Sequence, residues 1–193
     1  MTGNTEKTDS DNEDWGVLGE LPGDFMMWVL IASELLVFGA ALLAFVAVRA
    51  TDAAGFAAAQ EQLNQTAGAA NTIVLVTSGF FAALAVSASE QSRRSRARAM
   101  LAAAAGLGLI FLAVKGVEYW HKAEAGIGLD TSPFFTFYYL ITGFHAAHVV
   151  AGIVIFALVA YFDSKRNIET ATAFWHMVDL VWVILFPIIY LVR

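Results

Sequence analysis

The chain has no cysteine among its 193 residues. That absence removes disulfides, iron–sulfur ligation, thiolate zinc sites and c-type haem attachment. Histidine is scarce too, with His121, His145, His148 and His176 the four present. Charge is thin: 15% of the residues are Asp, Glu, Lys or Arg, where a soluble domain carries about 25%. Basic residues are nearly missing from the start of the chain. Lys7 stands alone there against Glu6, Asp9, Asp11, Glu13, Asp14 and Glu20. A cleaved signal peptide opens on a basic segment, so none is expected. Residues 1–20 read as an acidic, disordered tail, ahead of a membrane domain over 21–193.

What fills the chain is apolar. Hydrophobic residues make up 59% and the mean hydropathy is +0.65. They fall into five runs, at about 25–48, 69–89, 99–119, 134–162 and 173–192, each able to cross roughly 30 Å of hydrocarbon. The third reaches that length with Lys115 and Glu118 at its end, near the interface. The fourth is long enough to tilt or project. The predicted fold is all-α, a polytopic membrane protein built as a bundle of five transmembrane helices. Arg93, Arg94, Arg96 and Arg98 lie between the second and third runs, and Lys165 and Arg166 between the fourth and fifth. The other two connections carry only Arg49 and Lys122. The positive-inside rule then places the N-terminus in the cytoplasm and the C-terminus outside, weakly opposed by Arg193. The arginine cluster reads most simply as a topological anchor at anionic lipid.

Polar residues inside such runs are costly and point to function. Glu34 stands about 15 Å into the first span and His145 about 16 Å into the fourth, both near the midplane. His145 and His148 are three apart and share a helix face. They lie between Gly143 and Gly152, whose small size lets another helix come close. His176 and Asp179 repeat that spacing near the inner end of the fifth span. Asn71, Thr72, Thr77 and Ser78 add polar groups to the second. Trp120 and Trp175 fall near span ends, as interface anchors do. Three readings of this set remain open. Glu34, His145 and His148 could ligate a metal, but di-iron bundles use a repeated Glu-x-x-His pattern, and Glu118 with His121 gives it once, at a helix end. They could form a proton or ion path of a self-contained transporter, but no internal repeat is visible. They could be interhelical hydrogen bonds in a bundle that serves a larger complex, which the residues favour.

Five motifs then line up in order. They are Ser33-Glu34; Asn71-Thr72-Ile73-Val74-Leu75-Val76-Thr77-Ser78; Glu118-Tyr119; Gly143-Phe144-His145-Ala146-Ala147-His148-Val149-Val150-Ala151-Gly152; and Trp175-His176-Met177-Val178-Asp179-Leu180-Val181-Trp182. In this order the chain resembles subunit III of the haem–copper oxidases from about Leu21 to its end. The resemblance implies an accessory subunit of a respiratory oxidase in the bacterial inner membrane, with no catalytic, cofactor or metal site of its own. Haem and copper (or haem and non-haem iron) would belong to a catalytic subunit I, with subunit II and membrane phospholipid as further partners and no nucleic acid. Four histidines are too few for an oxidase core. The implied task is to sustain proton uptake and stability of the catalytic subunit during oxygen reduction by cytochrome c or quinol. Glu34 matches the family's reactive membrane carboxylate, which implies a protonated acid with His148 or Ser78 as partner. The best-known members have seven helices, and this chain lacks the first two, so it can supply only one wall of their lipid-holding cleft. Lys115 stands where many members have Gln. Leu21-Pro22-Gly23-Asp24 resembles the short branch found beside nitric oxide reductases.

Overall fold

The computed structural model describes residues 25–162 and 165–192. The acidic tail and Leu21–Asp24 lie outside the described residues. The chain forms α1 (Phe25–Thr51), α2 (Ala53–Gln60), α3 (Gln65–Glu90), α4 (Arg94–Glu124), α5 (Pro133–Phe162) and α6 (Lys165–Phe186), closed by a π-helical turn (Pro187–Leu191). All but α2 belong to five segments long and apolar enough to cross a membrane. The described residues contain no strand.

Local chemistry sets the turns. Asp52 caps α2 by accepting the Gly55 amide at 3.0 Å, and Asn64 caps α3 by accepting the Ala67 amide at 3.0 Å. An oxygen on a short side chain satisfies an otherwise orphaned helix N–H in this way. The α3–α4 connection is tight. Ser92 takes a left-handed φ of 59°, and the Arg93 amide reaches back to the Ala88 carbonyl at 2.9 Å. So short a link makes the two helices antiparallel neighbours, and theirs is the most extensive helix pairing in the bundle. Arg93 is the N-cap residue of α4, and Arg94, Arg96 and Arg98 occupy its first turns instead of a loop. With 31 residues α4 is about 46 Å long, more than the hydrocarbon requires.

Packing centres on α6. Trp175, Trp182 and Leu185 are wholly buried. A Cβ on Gly108 of α4 or on Gly152 of α5 would collide with the Trp175 ring, so two glycines carve the slot that the indole fills. This corrects the expectation for Trp175. It is a core residue, donating Nε1–H to Ser78 Oγ at 3.0 Å, and no interface anchor. Trp120 is different: it is 67% exposed and donates to Glu124 at 2.9 Å.

A second correction concerns α6. Its span runs from Arg166 to Leu191, where 173–192 was expected. Asn167, Glu169, Thr170 and Thr172 lower the hydropathy of its first turns without ending the helix. Asp179 therefore lies about 20 Å from the start and about 18 Å from the end, near the middle of the span. The short α2 was not expected. Its Phe56 packs edge-on against Phe45 of α1 and Phe134 of α5, covering one end of the bundle. Pro187 opens the π-helical turn, in which the Val192 amide reaches the Pro187 carbonyl at 2.9 Å.

Candidate functional site

Glu34 and His148 meet across α1 and α5. Glu34 Oε2 lies 3.1 Å from His148 Nε2, and the two side chains are 21% and 14% exposed. His148 Nδ1 is 2.9 Å from the Phe144 carbonyl. A carbonyl only accepts, so Nδ1 carries a proton. Nε2 then either accepts from a protonated Glu34 or, as imidazolium, donates to the carboxylate. Either way one proton is shared by the pair, inside a collar of aromatic rings. Phe38, Phe144 and Phe174 lie with centroids 5.4, 4.5 and 6.3 Å from the imidazole.

The remaining predicted residues are bound one by one, mostly across helices. Ser78 donates to the Ala104 carbonyl at 2.7 Å, so of the two partners named for Glu34 it is His148 that the structure brings. His145 is completely buried, with Nε2 3.1 Å from the Val178 carbonyl and Nδ1 unpaired. Asn71 donates to the Phe111 carbonyl at 3.2 Å. Thr72 donates to the Gly68 carbonyl at 2.9 Å and accepts from Trp182 Nε1 at 3.0 Å. Ser33 bonds its own helix at Leu30, 2.7 Å away. His145 and His148 both turn toward Phe38 of α1, but His145 Nε2 is committed to a carbonyl. Among the described residues no three His, Asp or Glu side chains gather where they could hold a metal ion.

His176 and Asp179 are held more loosely. His176 Nδ1 is 3.9 Å from Asp179 Oδ2, the His side chain is 47% exposed and the Asp 11%. Asp179 Oδ1 is buried without a partner. Gly79 of α3 makes room for them: a Cβ there would strike Asp179 Oδ2 and come 3.3 Å from His176 Nδ1.

The densest polar set was only half visible in the sequence. Lys115, 3% exposed, donates to Glu118 Oε2 at 3.0 Å, Tyr138 Oη at 3.1 Å and Tyr190 Oη at 2.8 Å. Tyr138 and Tyr190 donate in turn to Glu118 Oε1 at 2.8 and 2.9 Å. Three donors of one ammonium and both oxygens of one carboxylate are thereby used. Expected at the membrane interface, Lys115 is instead enclosed by α4, α5 and the terminal turn. Its i,i+3 spacing from Glu118 was the available signal. The tyrosines that close the cage sit 23 and 75 positions away. Beside it a cleft of about 510 Å³ is lined by Glu118, His121, Lys122 and mainly small apolar residues.

Comparison with known proteins adds the last observation. A family model described as "Cytochrome c oxidase subunit III" matches residues 21–192. A protein of Nocardia farcinica named "Probable cytochrome c oxidase subunit 3" is 32% identical over 178 residues, covering 86% of this chain and 85% of that one. Its namesake in Mycobacterium leprae is 33% identical with the same coverage. A Rickettsia felis protein of the same name is 36% identical over 133 residues, 63% of this chain but 46% of the longer relative.

Proposed function

This chain belongs to the cytochrome c oxidase subunit III family, and from that premise we propose how it serves its complex. It is a membrane subunit of a haem–copper cytochrome c oxidase. The nitric oxide reductase and free-standing transporter readings are not favoured, since the relatives quoted all carry the oxidase name. Oxygen reduction and electron transfer fall to partner subunits, of which a haem-bearing subunit I and subunit II are the proposed ones. The membrane is the bacterial inner membrane, with the arginine-bearing start of α4 on the cytoplasmic face.

The observation that carries the mechanism is the Glu34–His148 contact. A chain of proton carriers needs successive groups within hydrogen-bond reach. Here Glu34 meets one imidazole, and that imidazole's other nitrogen ends on a backbone carbonyl. The pair joins α1 to α5 and holds a polar spot at membrane depth on an otherwise apolar helix. We therefore assign Glu34 to helix packing and to positioning of adjoining phospholipid, supporting proton uptake and durability of the catalytic subunit indirectly. Glu34→Ala in the purified oxidase is expected to leave initial turnover near wild type and to shorten the number of turnovers before inactivation. An initial rate that collapses while the complex stays assembled would overturn the assignment in favour of direct conduction.

A further inference from the structure

We infer that the α3–α6 face around His176 is the docking surface for a transmembrane helix of the haem-bearing subunit, and that this helix presents a hydrogen-bonding side chain to His176 Nε2. The inference deepens the proposed function and rests on it.

Depth is the first argument. His176 stands about 15 Å into the Arg166–Leu191 span, where water cannot solvate an imidazole. A polar group there is costly unless it faces protein or a wet cavity. Exposure is the second. With 47% of its side chain uncovered, His176 is turned outward from the bundle. Glu34 and His148, the other ionisable pair near this depth, are less exposed and satisfy one another. Elsewhere the outer surfaces of α1 and α4 present Leu36, Leu43, Leu109 and Ile110, which lipid covers without loss.

Chemistry then states what the partner must offer. His176 Nδ1 is turned to Asp179, at a distance that is electrostatic contact and too long for a hydrogen bond. With the proton of a neutral ring on Nδ1, Nε2 accepts, and in an imidazolium it donates, so the matching group is a hydroxyl or amide, which can answer either. Asp179 Oδ1 is buried with no partner. Such orphans are rare, and this one belongs to the carboxyl that the exposed imidazole faces. A helix seated here would press His176 inward and tighten the contact to Asp179. The surroundings suit a helix: Leu180 and Ile184 continue the His176 face, and α3, whose Gly79 touches the pair, exposes Val76 and Phe80.

The test uses the assembled oxidase. A photo-cross-linking amino acid is placed at Leu180, one turn beyond His176, and in separate preparations at Leu43 and Leu109. Irradiation of the purified complex is expected to join position 180 to the haem-bearing subunit and to leave the other two unjoined to it. His176→Leu should weaken retention of this chain in detergent about fivefold, and His176→Gln should largely restore it. Adducts from 43 or 109 but not 180, or adducts from 180 only with lipid or a second copy of this chain, would overturn the docking surface while leaving the proposed function intact. Purification of the chain without any haem-bearing subunit would overturn the proposed function and this inference with it.

Discussion

The Lys115 cage and the Glu34–His148 pair are both contacts between ionisable groups inside a membrane bundle, yet they are built in opposite ways. Lys115 and Glu118 are three residues apart on one helix, enclosed by two tyrosine hydroxyls from distant parts of the chain. Glu34 and His148 come from separate helices, and each remains partly open to the surroundings. The first arrangement saturates its donors and acceptors and is useful only when complete. The second leaves lone pairs and surface for something else. A buried pair with every site filled is costly to break, whereas an open pair can be altered with little loss of fold. The cage is therefore assigned to architecture, and the open pairs to contact with lipid and partner.

The largest effect should come from opening the cage. Lys115→Met leaves Glu118 buried without its cation, at a cost of about 3–5 kcal/mol. Thermal unfolding of the detergent-purified complex should show it, and adding Glu118→Gln should recover part of the loss. Full stability in the single variant would refute the account. Tyr190→Phe removes one hydroxyl that donates to the carboxylate and accepts from the ammonium. It should cost about 1–3 kcal/mol, read by the same melt. The smallest effect is expected at the open pair. Glu34→Gln keeps an amide that can still bond His148 and should change stability by less than about 1 kcal/mol. If Glu34→Gln matched Lys115→Met, the contrast between closed and open sites would fail.

Much of this arrangement was legible in the residues, and the misses share a cause. Five apolar runs announced five spans, and the family resemblance offered His148, with Ser78, as the partner of Glu34. Hydropathy weighs composition along the chain, so it ended the fifth span where Thr170 and Thr172 are frequent and misplaced His176 and Asp179 toward an end. Trp175 was taken for an anchor by the same error. The glycines that accommodate its ring, Gly108 and Gly152, lie on two other helices, and no local pattern joins them. Tyr138 and Tyr190 counted as apolar bulk in their runs, which hid the hydroxyls that enclose Lys115.

The π-helical turn at Pro187–Leu191 has a consequence for biogenesis. Widening the last turn leaves carbonyls at Ile189 and Tyr190 that accept from Gln60 at 2.9 Å and Gln65 at 3.0 Å, while the Tyr190 hydroxyl completes the cage on α4. The Pro187–Leu191 turn is thus a clasp on segments more than 120 positions earlier in the chain. Four helices can enter the bilayer in sequence, but the bundle closes only when the last turn arrives. A chain that stopped before Pro187 would be inserted and still unfinished, with a lysine and a glutamate waiting for their cover.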